Sequence, residues 1–254
     1  MNGRVGTHAA PSGQGHIVAM GGGGFSMEPD NPLLDDFVLS LSRRQPARVC
    51  FVPTASADSY SYLVKFYRAF SARAVATDLT LFESSSLPRR PALTSDLAGY
   101  VAEQDVIYVG GGNTANLLAV WRAHGLDRIF REAWTRGTVM AGVSAGMLCW
   151  LSGGVTDSFG GMGVLRDGLG LVEASGCPHY DGEVGRRPAF HQAVRDGLPA
   201  GYAADDGAAL HFVGTALAEV VSSRPAARAY RVAIEGGVVV ESVVPTRYLG
   251  DAMR

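Results

Sequence analysis

A single hydroxyl stands between two glycines in the stretch Gly142-Val143-Ser144-Ala145-Gly146, and an apolar run, Thr138-Val139-Met140-Ala141, leads up to it. The spacing is G-x-S-x-G. A strand that turns sharply into a helix leaves the central residue in a strained backbone conformation, and small residues on either side avoid collision between the two limbs of the turn. The hydroxyl then projects from the carboxyl end of a strand, where open α/β sheets gather their ligands. The next amide, that of Ala145, lies at a helix N-terminus and can face a developing oxyanion. The same serine could also be a plain N-cap for that helix.

A serine nucleophile needs a base, and the base needs an acid that fixes its tautomer. The chain has six histidines. His8 and His16 lie in or beside an N-terminal arm, His124 precedes Gly125 at a helix end, His191 shares a helix with Phe190 and Val194, and His211 alternates with Leu210 and Phe212 as in a strand. Solvent-facing or capping roles suffice for these five. His179, in Cys177-Pro178-His179-Tyr180, follows a short apolar stretch and precedes a polar loop, a strand-end position on the same edge as the elbow. Three aspartates compete for the role of acid: Asp206 and its neighbour Asp205 in a turn after the histidine, and Asp157 between the serine and the histidine. An Asp-Gly pair such as 206–207 is also an ordinary hairpin turn. The α/β-hydrolase order of serine, acid, histidine would require Asp157, and no HGGG-type stretch precedes the elbow, so that fold is set aside.

The elements that must position these groups alternate along the chain. His16-Ile17-Val18-Ala19-Met20 reads as a buried strand that runs into four glycines, 21–24. Helical spacing of Leu33, Leu34, Phe37 and Leu41 follows, then strands near 48–52, 76–82 and 105–109 separated by amphipathic stretches, and two further helices before the elbow strand. Apolar strands alternating with amphipathic helices predict an α/β fold, a mostly parallel sheet with helices on both faces. Beyond it, short β-rich pieces such as Ala229–Ile234 and Val238–Val244, split by glycine turns, predict a mixed or antiparallel C-terminal edge. The expected organisation is a flexible arm over 1–15 and a single domain over 16–254.

Composition bounds the partners. Hydrophobic residues make up 47% and charged residues 18%, with a formal net charge of -2 and a pI of about 6.3. No basic excess points to nucleic acid and no Lys/Arg cluster to an anionic membrane. No apolar run is long enough to span a bilayer, and the arm lacks the apolar core of a secretory signal. Cys50, Cys149 and Cys177 lack any metal-ligand spacing and read as reduced core thiols, which makes cytoplasmic the expected location, with no metal or cofactor.

Three blocks carry a family resemblance: Tyr108-Val109-Gly110-Gly111-Gly112-Asn113-Thr114 with the helix after it, Ala141-Gly142-Val143-Ser144-Ala145-Gly146-Met147, and Cys177-Pro178-His179-Tyr180. Together they resemble the signature blocks of the peptidase E family of serine peptidases, relatives of cyanophycinase that share the class I glutamine amidotransferase-like fold. The resemblance runs from Ile17 to about Val213. It implies Ser144 as nucleophile, His179 as base, and an oxyanion hole from the Ala145 amide and the Gly111-Gly112 loop. The family's third residue is a glutamate just before a glycine, and Asp206 stands at that place here. Peptidase E removes N-terminal Asp from short peptides, so Arg186 and Arg187 become candidates to read a substrate carboxylate, with Asn113 and Asp157 as further substrate contacts; the two arginines could equally be solvated residues that open the next helix. The expected substrate is a short peptide, without nucleic acid or membrane, and with homodimerisation left open. Another amide hydrolase of the same fold, acting on a β-aspartyl or cyanophycin-like bond, or a non-catalytic binding protein on the same scaffold, are the competing readings.

Overall fold

The computed structural model describes residues 15–82 and 96–253, so the arm expected over 1–15 lies, apart from Gly15, outside them. Strands β1 (His16–Met20), β2 (Arg48–Val52), β3 (Val75–Asp78), β4 (Val106–Val109) and β5 (Val139–Val143) are mutually parallel and lie in the order β1-β5-β4-β2-β3. Every residue of β4 and β5 is buried. Alternate side chains therefore enter two different cores, as a sheet covered on both faces requires. Val106 and Tyr108 meet Phe25, Leu34, Val38, Phe66 and Phe70 from helices α1 (Gly24–Met27), α2 (Leu33–Ser40) and α3 (Tyr60–Phe70). Ile107 and Val109 meet Val101, Leu117, Trp121 and Phe130 from α4 (Leu97–Ala102), α5 (Thr114–His124) and α6 (Leu126–Thr135). The five strands and five of the helices match the elements expected from apolar periodicity; the single turn α1 lies in what reads as a glycine loop.

The expected mixed edge is present, but Ala229–Ile234 and Val238–Val244, read as part of it, lie in a second sheet. β10 (Ala208–Val213) runs antiparallel to β1, β11 (Ala216–Ser222) pairs with β10, and β14 (Thr246–Tyr248) closes the eight-stranded sheet. His16 opens β1, as the apolar run His16–Met20 predicts. It stacks on His211, which is buried and faces Glu219, so His211 has no solvent role.

A second sheet goes beyond the sequence reading. Its order is β13-β12-β9-β8-β6-β7, with β6 (Leu151–Thr156), β7 (Gly163–Leu165), β8 (Val172–Cys177), β9 (Gly201–Ala204), β12 (Ala229–Glu235) and β13 (Val238–Val244). Leu151, Val172 and Ala204 pack into the core beneath α5 and α6, while Val155, Cys177 and Ala203 face Phe190 and Val194 of α8 (Arg186–Arg195). Strands such as Leu-Ser-Gly-Gly-Val-Thr and Gly-Tyr-Ala-Ala carry little β-propensity and no alternation. Their glycines serve close approach: a Cβ on Gly154 would lie 2.2 Å from the Gly176 carbonyl oxygen, and one on Gly201 would lie 2.0 Å from that of Ser175. All three cysteines are buried with free thiols, and burial pushes the Cys50 and Cys177 thiols up to about 12. No described helix is long and apolar enough to cross a membrane.

Asp35 is the buried charge of the first core. Its carboxylate accepts a hydrogen bond from the Tyr108 hydroxyl at 2.9 Å, and desolvation raises its pKa from 3.8 to about 6. A carboxyl whose folded pKa lies above its unfolded value binds more protons in the folded state. Stability should therefore fall as pH rises from about 4 to 6 and stay lowered above that window. Asp35→Asn keeps the acceptor and removes the charge. It should raise stability at pH 7.5 by on the order of 2–3 kcal/mol and leave it little changed at pH 4, as read from urea denaturation at both pH values.

Candidate functional site

The elbow takes the form its spacing demands. β5 ends at Val143, Ser144 has φ 58° and ψ -107°, and α7 (Ala145–Leu148) begins at the next residue. A Cβ on Gly142 would lie 2.3 Å from the Gly146 carbonyl oxygen, and one on Gly146 would lie 2.4 Å from that of Val109, so both glycines are needed where strand, turn and neighbouring strand close on one another. The helix is one turn long, because Leu151 already starts β6.

His179 follows β8 and also has a left-handed backbone, φ 53°. Its Nε2 is 2.9 Å from Ser144 Oγ and its Nδ1 is 2.6 Å from Asp206 Oδ1. An ionised carboxylate only accepts, so Nδ1 carries the proton and Nε2 presents its lone pair to the serine hydroxyl. The Asp206 carboxyl is held below the ordinary aspartate range, chiefly by the hydrogen bond from His179, against an opposing effect of burial. Asp206 N–H in turn donates to Asp181 at 2.8 Å. The other two acid candidates lie elsewhere. Asp205 is buried and accepts from the Arg228 N–H at 2.9 Å, with its pKa raised to about 6 by desolvation. Asp157 is exposed and touches neither histidine nor serine by hydrogen bond.

Three backbone contacts hold the three groups to one place. Ser144 N–H donates to Met20 O at 3.0 Å, His179 N–H to Gly21 O at 3.2 Å, and Gly207 N–H, next to Asp206, to Gly22 O at 3.0 Å. The glycine run after β1, legible in the sequence only as a tight loop, is thus the seat of the site. A Cβ on Gly22 would lie 1.9 Å from Asp206 Oδ1 and 3.1 Å from His179 Nδ1.

Of the two oxyanion candidates in the glycine loop, only Gly112 has an N–H without a partner among the described residues. The Gly111 N–H already donates to the Tyr62 hydroxyl at 3.1 Å, and a backbone amide has one proton to give. The N–H groups of Gly112 and Ala145 have no partner among the described residues. Gly112 holds φ 137°, and a Cβ there would lie 2.2 Å from Ala55 O, which reserves the position for glycine.

Two cavities meet at Ser144, Gly112 and His179. The wider, about 380 Å³, is walled by Ser26, Met27, Tyr62 and Lys65. The narrower, about 250 Å³, is walled by Asn113, Asp157, Ser158, Glu183 and Arg186. Asn113 caps α5 through its Oδ1 and donates from Nδ2 to Ser158 O, so both ends of its side chain are engaged. Arg186 is buried, with Nε on Glu183 at 2.7 Å and Nη1 on Val155 O at 3.1 Å. Arg187 is absent from both cavities, contrary to its expected role beside the substrate. Its guanidinium lies over the rings of Tyr180 and Tyr230 and pairs with Glu241 at 2.7 Å, where it braces the residue next to His179. Tyr62, Lys65, Ser158 and Gly22 were not legible as site residues, because their chemistry arises from neighbours distant in sequence. Among the described residues no group of three or more His, Cys, Asp or Glu side chains is placed to hold a metal ion.

The mostly parallel α/β sheet thus carries a strained serine at the end of a central strand, next to a histidine and two open cavities. The model of peptidase family S51 matches residues 17–220, and this chain belongs to that family. It is 53% identical over 236 residues to the uncharacterized peptidase YgaJ of Bacillus subtilis (strain 168), covering 92% of this chain and 99% of that protein. The fold is similar to the crystal structure of a peptidase from an acI-B1 Actinobacterium, with a TM-score of 0.66 at 17% identity over 92% of this chain and 96% of that one. It is also similar to a structure bearing the peptidase E name from Listeria monocytogenes EGD-e, with a TM-score of 0.55 at 18% identity over 91% of this chain and all of the other. The chain is a peptidase.

Gly22 gives the site a steric test. Gly22→Ala places a methyl group where the Asp206 carboxylate now sits, so the carboxylate must leave the histidine. Misplacement of this order costs about a hundredfold in kcat. The expected result is that loss with an unchanged circular dichroism spectrum; full activity would show that the site tolerates a displaced Asp206.

Proposed function

We propose that this chain is a serine peptidase that cleaves short peptides from their amino end. The observation that carries the reading is the row Ser144 Oγ–His179 Nε2–Nδ1–Asp206 Oδ1, at 2.9 and 2.6 Å, at the junction of two cavities. In this mechanism Nε2 takes the hydroxyl proton as Ser144 Oγ bonds to the scissile carbonyl carbon. The carbonyl oxygen becomes an oxyanion that accepts from the N–H groups of Gly112 and Ala145. The carbon–nitrogen bond then breaks, and the leaving amine takes the proton from Nε2. Water adds to the acyl-serine and gives a proton to Nε2. The carbon–Oγ bond breaks, the proton returns to Oγ, and the acid product leaves. Asp206 holds the imidazole in the required tautomer and stabilises the imidazolium without taking its proton.

The narrower cavity supports recognition of a free amino terminus. Glu183 is matched by Arg186, whereas the Asp157 carboxylate has no hydrogen-bond partner among the described residues and lines the cavity wall. An α-ammonium fits that surplus negative charge. A preference for N-terminal Asp would have to rest on Arg186, whose charge Glu183 already compensates, so we expect Asp and Asn at the first position to be cleaved at similar rates.

Ser144→Ala should lower kcat on a dipeptide library by up to about a million-fold, with His179→Ala close behind, since such groups act as a unit. Asp206→Asn should cost about 10⁴-fold, because the histidine loses its tautomeric control. Asp157→Asn should cost far less in kcat and act through KM on substrates with a free amino terminus. Near-normal turnover by folded Ser144→Ala would overturn the mechanism; a greater loss from Asp157→Asn than from Asp206→Asn would reassign the acid.

A further inference from the structure

Lys65 is the one lysine among 254 residues; every other basic side chain is arginine or histidine. It lies on α3, exposed, on the wall of the wider cavity beside Ser144. Its Nζ is 3.4 Å from the Ser26 carbonyl oxygen, and it forms no ion pair with a described carboxylate. The arginines nearest the site differ in this respect. Arg186 is matched by Glu183, Arg187 by Glu241 and Arg224 by Glu28. The wider cavity therefore carries uncompensated positive charge, and the hydroxyls of Ser26, Ser59 and Ser61 line the same wall. The narrower cavity carries the unpartnered Asp157 carboxylate.

We infer that the wider cavity is the subsite for the leaving end of the peptide and that Lys65 reads its free α-carboxylate. The inference rests on the peptidase reading above. Opposite charges on the two sides of Ser144 orient a zwitterionic peptide one way only. Its ammonium faces Asp157 and its carboxylate faces Lys65; the reverse orientation would set like charges against each other on both sides. A flexible stem with a compact ammonium suits a carboxylate whose position shifts with the leaving side chain, whereas a planar guanidinium suits one fixed geometry. A volume of about 380 Å³ lies near the low end of small-molecule pockets, which favours a short leaving segment whose terminal carboxylate stays within reach of Lys65.

The test compares a library of dipeptides with free carboxylates against the matching C-terminal amides, in wild type and in Lys65 variants. The contact is present before and during reaction, so its loss belongs in KM rather than kcat. Wild type should favour the free acids by about fivefold in kcat/KM, the size expected of a solvent-accessible charge contact. Lys65→Met should bring that ratio to about one, Lys65→Arg should keep part of it, and Lys65→Glu should reverse it. Equal acid-to-amide ratios in wild type and Lys65→Met, with peptides still cleaved, would overturn the inference and leave the peptidase reading intact. Failure of wild type to cleave any member of either set would overturn both.

Discussion

The glycine turn after β1 is the constraint on which the site depends. Met20, Gly21 and Gly22 offer three consecutive carbonyls, and the backbones of Ser144, His179 and Gly207 each donate to one of them. Three chain segments that follow different strands are thereby set in register along one short ladder. Side chains could not converge as closely if this turn carried them. Besides the clash at Gly22, a Cβ on Gly21 would lie 2.3 Å from Ala204 O. The turn adds no side chain to the row, but it fixes the distances among Ser144, His179 and Asp206.

Half of the strained non-glycine backbone among the described residues sits at the same place. Ser144 and His179 are two of four non-glycine residues with positive φ among those described, and such backbones cost of order 1–3 kcal/mol each. They persist because the surroundings over-determine them. Ser144 is fixed by its bond to β1 and by α7, and His179 by Gly21 on one side and by Tyr180 on the other. Tyr180 is itself clamped: its N–H donates to Ala204 O, its hydroxyl to Glu241, and Arg187 covers its ring. The second sheet thus does more than extend the core, because β8 delivers the histidine, and β12 and β13 supply the Tyr230 ring and the Glu241 carboxylate that steady its neighbour.

Much of the first sheet was legible because its signal is local. Runs such as Val-Ile-Tyr-Val, and helices with an apolar stripe, show their state within a few residues. The small-residue strands β6, β8 and β9 carry no such signal; they are strands because neighbouring backbones approach where no Cβ intervenes. The aspartate beside His179 shows the same limit. Asp205 and Asp206 are adjacent and identical in type, and nothing in their order says which one turns toward the histidine. The parallel bridge between Gly22 and Asp206 settles it, with Asp205 turned to the Arg228 backbone instead.

The sequence by itself determined the serine elbow, the histidine after a short apolar stretch, and the parallel sheet that carries the elbow, because each is written in contiguous residues with a steric or periodic reason. It also left Arg186 and Arg187 as equal candidates for a substrate contact. Only the tertiary structure decided that Arg186 is buried against Glu183 and Val155, that Arg187 is spent on Glu241 and two rings, and that Gly111 has already given its proton to Tyr62. It likewise brought an exposed lysine of α3 to the wall beside Ser144. The physical reason is common to all four: whether a charge or a donor is free to meet a ligand depends on the partners that folding brings to it, and those partners lie from 3 to 54 residues away in the chain.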